Sequence, residues 1–147
     1  MGRDELLSLL ENPRQSGVYR LPLNGQEAVK QAARVAGFAC LDVNLEDAGS
    51  IGSALERLGR DLDFPDWYGR NLDALKDCLT DFSWCEAAGY MLIIRNAERL
   101  LVAAPEAFDA LNEVFAAAIA EWRSQDYPLW VFYDLRADER ATLPTLA

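Results

Sequence analysis

Asp73, Asp77 and Asp81 recur every four residues in the segment Asn71-Leu72-Asp73-Ala74-Leu75-Lys76-Asp77-Cys78-Leu79-Thr80-Asp81. At about 100° per residue, a helix sets Asp77 roughly 40° and Asp81 roughly 80° from Asp73. Leu72, Leu75, Cys78 and Leu79 gather on the opposite side, so one face buries and the other presents a line of carboxylates. Like charges four residues apart destabilise a helix by about 0.2–0.5 kcal/mol per pair. The acidity is local. Between positions 61 and 86 stand seven acids (Asp61, Asp63, Asp66, Asp73, Asp77, Asp81, Glu86) against two bases (Arg70, Lys76), half of the net charge of −10. Trp67 and Tyr68 precede the helix, and Phe82 and Trp84 follow it. Aromatic rings beside concentrated charge have the composition of a protein–protein hot spot. Paired carboxylates can also hold Mg²⁺ for phosphoryl chemistry. The plain alternative is a solvated helix face with core aromatics nearby.

Other chemistries drop out. The chain has no His, which removes Ser-His-Asp and Cys-His catalysis, histidine zinc sites and a haem ligand. Cys40, Cys78 and Cys85 are odd in number, lack C-x-x-C spacing and sit among apolar residues, so they read as small core residues. Gly49-Ser50-Ile51-Gly52-Ser53 lacks the Lys and glycine spacing of a phosphate-binding loop and reads as a turn and helix start. The acids show no calcium-loop register. No cofactor and no metal are expected, and no residue is assigned as catalytic. A pI near 4.4 repels nucleic acid and anionic membrane and favours a basic partner.

The elements that must position the acidic helix follow from periodicity and caps. The 147 residues are 51% hydrophobic and 26% charged, the size and composition of one globular unit. No run approaches 18 apolar residues, as a membrane span requires. Met1-Gly2-Arg3-Asp4-Glu5-Leu6 places acids where a signal peptide needs bases, and Leu6 breaks the myristoylation pattern, so a cytoplasmic location is expected. A helix is predicted over 3–11 and a strand over 17–21. Asn24 is predicted to cap a helix that ends at Gly37, and a strand follows over 38–43. Strand, helix and strand form a βαβ unit with parallel strands. Ser50 opens a helix with Ile51, Ala54, Leu55 and Leu58 on one side. A loop holds Pro65, and the acidic helix covers about 70–80. The continuous apolar run 90–94 predicts a central strand buried on both faces. Asn96 is predicted to cap a short helix at 98–102. Pro105 opens a long helix with Phe108, Leu111, Phe115, Ile119 and Trp122 inward, and the last strand covers 128–133 before a polar tail. The fold class is therefore α/β, a small, mainly parallel sheet with helices packed on it.

Phe64-Pro65-Asp66-Trp67-Tyr68-Gly69-Arg70-Asn71-Leu72-Asp73-Ala74-Leu75-Lys76-Asp77-Cys78-Leu79-Thr80 resembles, without gaps, the signature of the barstar family, intracellular inhibitors of barnase-type ribonucleases. Weaker similarity covers about 38–134. The resemblance implies a barstar-like domain over 38–147, with residues 1–37 as an N-terminal strand–helix extension packed on it. It implies a stoichiometric inhibitor or immunity protein, not an enzyme, that is monomeric when free. The signature helix and the loop before it would plug a ribonuclease active site. The carboxylate of Asp77 would stand for the substrate phosphate, supported by Asp73 and Thr80; a carboxylate pair suits a fork of guanidinium donors. The implied partner-binding residues are Trp67, Tyr68, Gly69, Asn71, Asp73, Lys76, Asp77, Thr80, Asp81, Phe82 and Glu121. Departures from the family pattern stand among them. Trp67 replaces a tyrosine, Lys76 an interface tryptophan, Asp81 a glycine and Phe82 a tryptophan. Ala117 replaces an interface glutamate, with Glu121 one turn on to take its role. These changes point away from barnase itself and toward another basic partner, such as the ribonuclease domain of a secreted toxin. An interaction module with a non-nuclease partner is the alternative.

Overall fold

A computed structural model describes residues 2–21, 25–134 and 143–144. Its centre is a sheet of four parallel strands, β1 (Val18–Arg20), β2 (Ala39–Asn44), β3 (Tyr90–Arg95) and β4 (Leu129–Asp134), in the spatial order β1-β4-β3-β2. Every residue from Tyr90 to Ile94 and from Leu129 to Tyr133 is buried. Strands apolar on both faces belong in the interior of a parallel sheet, and both lie there. The short β1 and the partly exposed β2 take the edges.

The sheet alternates between two cores. Tyr90, Leu92, Ile94, Leu129, Val131 and Tyr133 face the larger one, built with α3 (Ile51–Asp61), α4 (Leu72–Leu79), α5 (Glu98–Ala103) and α6 (Pro105–Ser124). Met91, Ile93, Trp130 and Phe132 face the smaller one, built with α1 (Arg3–Leu10) and α2 (Gln26–Val35). The N-terminal residues thus cover a face that would otherwise meet water. Trp130 also donates its indole N–H to the Leu10 carbonyl at 2.8 Å, satisfying a carbonyl at the end of α1.

Most predicted elements stand where periodicity put them; the structure adds the strand order and corrects the role of Asn96. The N-terminal strands are parallel, but they occupy opposite edges of the sheet, because β3 and β4 take the places between them. Asn96 is not a helix cap. It has φ +59°, and its side-chain amide donates to Asn44 Oδ1 at 2.9 Å, tying the ends of β2 and β3 together; Ala97 occupies the cap position of α5. Asn24, predicted to cap α2, lies outside the described residues. At the other end of α2, Gly37 has φ +80°, and the amides of Gly37 and Phe38 donate back to the carbonyls of Arg34 and Ala33. That pair of bonds needs a left-handed residue, which glycine supplies at least cost. The hydroxyls of Ser50 and Ser53 are engaged in the capping box of α3, the helix start expected there.

Candidate protein-binding face

The loop between α3 and α4 is held by rings. Tyr68 donates its hydroxyl to the Leu55 carbonyl at 2.8 Å, and its ring lies over Gly59. A Cβ at position 59 would stand 2.6 Å from Tyr68 Cε2, so the close approach requires glycine. Burial pushes the Tyr68 phenol up to about 12. Phe64 packs edge-on against Tyr68 at 4.9 Å and against Trp84 at 5.9 Å. Trp84 in turn meets Trp67 at 6.5 Å and Phe82 at 5.5 Å, and Phe82 stacks on Tyr90 at 4.4 Å. A continuous chain of rings therefore runs from β3 to Trp67, which remains 55% exposed at the surface.

Helix α4 is short, and its ends are closed by side chains. At the N-terminus, Asn71 Oδ1 accepts from the Ala74 amide at 2.8 Å. At the C-terminus all four end carbonyls have donors. Lys76 O accepts from the Thr80 amide and hydroxyl, and Asp77 O from the same hydroxyl at 3.2 Å. Cys78 O accepts from the amides of Asp81 and Phe82. Leu79 O accepts from the Trp122 indole at 2.6 Å. Leu75, Cys78 and Leu79 are buried, and burial pushes the Cys78 thiol up to about 11, with the nearby Asp77 and Asp81 adding to the effect. Cys78 is thus a core thiol with little thiolate at neutral pH.

The helix presents its carboxylates as the wheel requires. Asp73, Asp77 and Asp81 are exposed, as are Trp67, Gly69, Asn71 and Lys76, while Tyr68 and Thr80 are half-buried. Asp81 accepts from the Ser83 hydroxyl at 3.3 Å. Among the described residues, the side chains of Asp73, Lys76 and Asp77 make no ion pair within 4 Å. Glu121 is exposed on the last turn of α6, one residue from the indole that holds Leu79. Phe82 does not join the surface. It is 1% exposed, with φ +47°, and its ring belongs to the main core. The stack on Tyr90 draws it inward, so it supports the face from behind.

Three contributions escaped the sequence reading: the close approach at Gly59, the Leu55 carbonyl and the indole bond of Trp122. Gly59 left a trace, since a glycine inside an apolar-periodic helix usually has a packing reason. The role of Trp122 left none, because it depends on how two helices bring together residues 43 positions apart in the chain.

Among the described residues no group of three or more His, Cys, Asp or Glu side chains could hold a metal ion. No helix among them is long and apolar enough to cross a membrane. Solved structures of other proteins resemble this fold. Aeropyrum pernix ORC2, in its ADPNP–ADP complexes, aligns with TM-score 0.64 and 16% identity over 94% of this chain and 41% of its own. Drosophila ORC bound to DNA aligns with TM-score 0.58 and 16% identity over 92% of this chain and 36% of its own. The likeness is one of fold alone. After β1 the present chain reads Leu21-Pro22-Leu23-Asn24-Gly25, without the Gly-Lys-Ser/Thr of a phosphate-binding loop.

Sequence comparison is more specific. YrdF of Bacillus subtilis (strain 168), provisionally named a ribonuclease inhibitor, is 57% identical over 37 residues, 25% of this chain and 37% of YrdF. The match therefore spans little more than a third of that relative. The family model described as Barstar (barnase inhibitor) matches residues 38–134, which contain the aromatic loop, the acidic helix and all but the first strand. The chain belongs to the barstar family, a family of ribonuclease inhibitors.

Proposed function

We propose that this chain is a stoichiometric inhibitor that blocks the active site of a basic ribonuclease with α4 and the aromatic loop before it. The observation that carries the reading is the exposed Asp73–Asp77 pair, without ion-pair partners among the described residues, on a helix capped at both ends beside an exposed Trp67. A nuclease must hold a phosphate with cationic donors, and carboxylates fixed at helical spacing offer those donors charge-assisted hydrogen bonds. Preorganisation matters because little conformational freedom is then lost on binding. Trp67 supplies an aromatic anchor, and Glu121 extends the acidic surface from α6.

The inhibitor would act by occupancy and needs no catalytic residue. The acidic field would steer a basic enzyme to the face, speeding capture. Such a protein protects RNA where RNA is, in the cytoplasm. Lys76, in the middle of the carboxylates, favours a ribonuclease other than barnase, including the nuclease domain of a toxin for which this chain would be the immunity protein.

The test is capture of the partner from native cells on immobilised protein, followed by titration of the captured enzyme against an RNA substrate. The expected result is a basic ribonuclease silenced at a 1:1 ratio by the wild-type chain and not by Asp77→Ala. Capture of a non-nuclease through the same face would replace this reading with that of an interaction module.

A further inference from the structure

The last turn of α6 reaches in two directions. Trp122 donates to Leu79 O at the end of α4, at 2.6 Å. Its neighbour Arg123 donates from Nη2 to Ser16 O at 2.6 Å and from Nε to Pro13 O at 3.2 Å. Both carbonyls belong to the 3-10 turn Pro13–Gln15 and its end, between α1 and β1. The N-terminal segment outside the family match is therefore joined to the acidic helix through two adjacent side chains.

We infer that Arg123 is a positioning residue for the binding face, holding the C-terminal turn of α4 in place through Trp122. Helix ends are the parts of a fold that open most readily, and α6 ends one residue after Arg123. Two charge-assisted bonds to fixed carbonyls hold that turn closed. A closed turn keeps the Trp122 ring against both Tyr90 and Tyr127, at 5.4 and 5.1 Å, with its N–H aimed at Leu79 O. Among the described residues, Leu79 O is the one end carbonyl of α4 that receives its donor from outside the segment 71–82. When the turn opens, that carbonyl loses its donor, and the stretch bearing Asp77, Thr80 and Asp81 loosens.

The value of this coupling for inhibition rests on the reading above, but the coupling itself is a property of the free chain and is measured there. The experiment is amide hydrogen exchange of the full chain as wild type, Arg123→Ala, Arg123→Lys and Trp122→Phe. In Arg123→Ala the amides of Thr80, Asp81 and Phe82 should lose protection by about tenfold or more, while those of β2, at the far edge of the sheet, keep theirs. Arg123→Lys retains one donor and should recover part of the protection. Trp122→Phe should loosen the same α4 amides without releasing the amides of Gln15 and Ser16. Unchanged protection at the end of α4 in Arg123→Ala overturns the inference, as does an equal loss in β2, which would mean general destabilisation. Failure to inhibit any ribonuclease, with the exchange pattern as expected, would overturn the inhibitor reading and leave the coupling intact.

Discussion

At the scale of single residues, the acidic face opposes the stability of the helix that carries it. Asp73 lies in the first turn of α4, where the helix dipole favours a negative charge. Asp77 lies in the last turn, where the dipole disfavours it, and four residues from Asp73. Among the described residues no backbone amide donates to the Asp77 carboxylate, and the nearby carbonyls are served by the Thr80 hydroxyl. Asp77→Asn should therefore leave the free protein as stable as wild type or more stable by about 0.3–0.5 kcal/mol. Asp77→Ala should weaken ribonuclease binding by about 2 kcal/mol or more, mostly through faster dissociation. Urea unfolding and surface-capture kinetics measure the two, and a stability loss above about 1 kcal/mol for Asp77→Asn would assign the residue to the fold. Tyr68 gives a pH signature. Its phenol is held protonated up to about 12 in the folded chain, against 10.0 for the free group. The folded state then binds its proton more tightly than the unfolded state, so the contribution is fully present below about pH 10 and is lost as pH rises toward 12. Ultraviolet titration of wild type against Tyr68→Phe should show one tyrosine fewer ionising near pH 12.

At the scale of elements, α3 and the aromatic loop are fitted to each other at Gly59. Gly59→Ala would raise the helix propensity of α3 by about 1 kcal/mol. It would also drive a methyl group into the Tyr68 ring, which is pinned by its hydroxyl and by Phe64. Overpacking of that kind costs about 1–3 kcal/mol, so the clash should win. The variant should unfold at lower urea, with a changed near-ultraviolet aromatic spectrum and weaker partner binding. Equal or greater stability would mean that Tyr68 moves aside freely. Two other pairs of elements meet through tryptophan in one manner: Trp130 on β4 closes the end of α1, and Trp122 on α6 closes the end of α4. In each case a large ring fills the core while its N–H satisfies a carbonyl that the helix itself cannot.

At the scale of the whole molecule, the sheet needs both of its covers. A chain starting at residue 38 would keep the family match but expose Met91, Ile93, Trp130 and Phe132, all of them fully buried in the intact protein. An apolar patch of that kind on a twisted sheet promotes association. Such a truncation should therefore aggregate or lose its cooperative unfolding transition, which sedimentation and urea titration would detect. Net charge acts at the same scale. Association with a basic ribonuclease should slow steeply with added salt, since attraction between the two fields is screened over about 8 Å at physiological ionic strength. Stopped-flow rates that do not change with salt would remove electrostatic steering from the account.

Local rules settled much of this protein. The apolar run at 90–94 identifies a strand that must be interior, and the 3.6-residue period of α3, α4 and α6 assigns each its buried side. The four-residue spacing of Asp73 and Asp77 places both carboxylates on the outer face of α4 before any packing is considered, because that face is set by the same period. Phe82 and Asn96 were beyond such rules. Phe82 has the composition of an interface residue, and only its stack on Tyr90 makes it core. Asn96 has the composition of a helix cap, and only the neighbouring end of β2 gives its amide a better partner. The order of the strands, the glycine under Tyr68 and the indole bond to Leu79 all join residues distant in the chain. Their energies come from contacts that exist only once the sheet and both cores are assembled, and tertiary structure alone decided them.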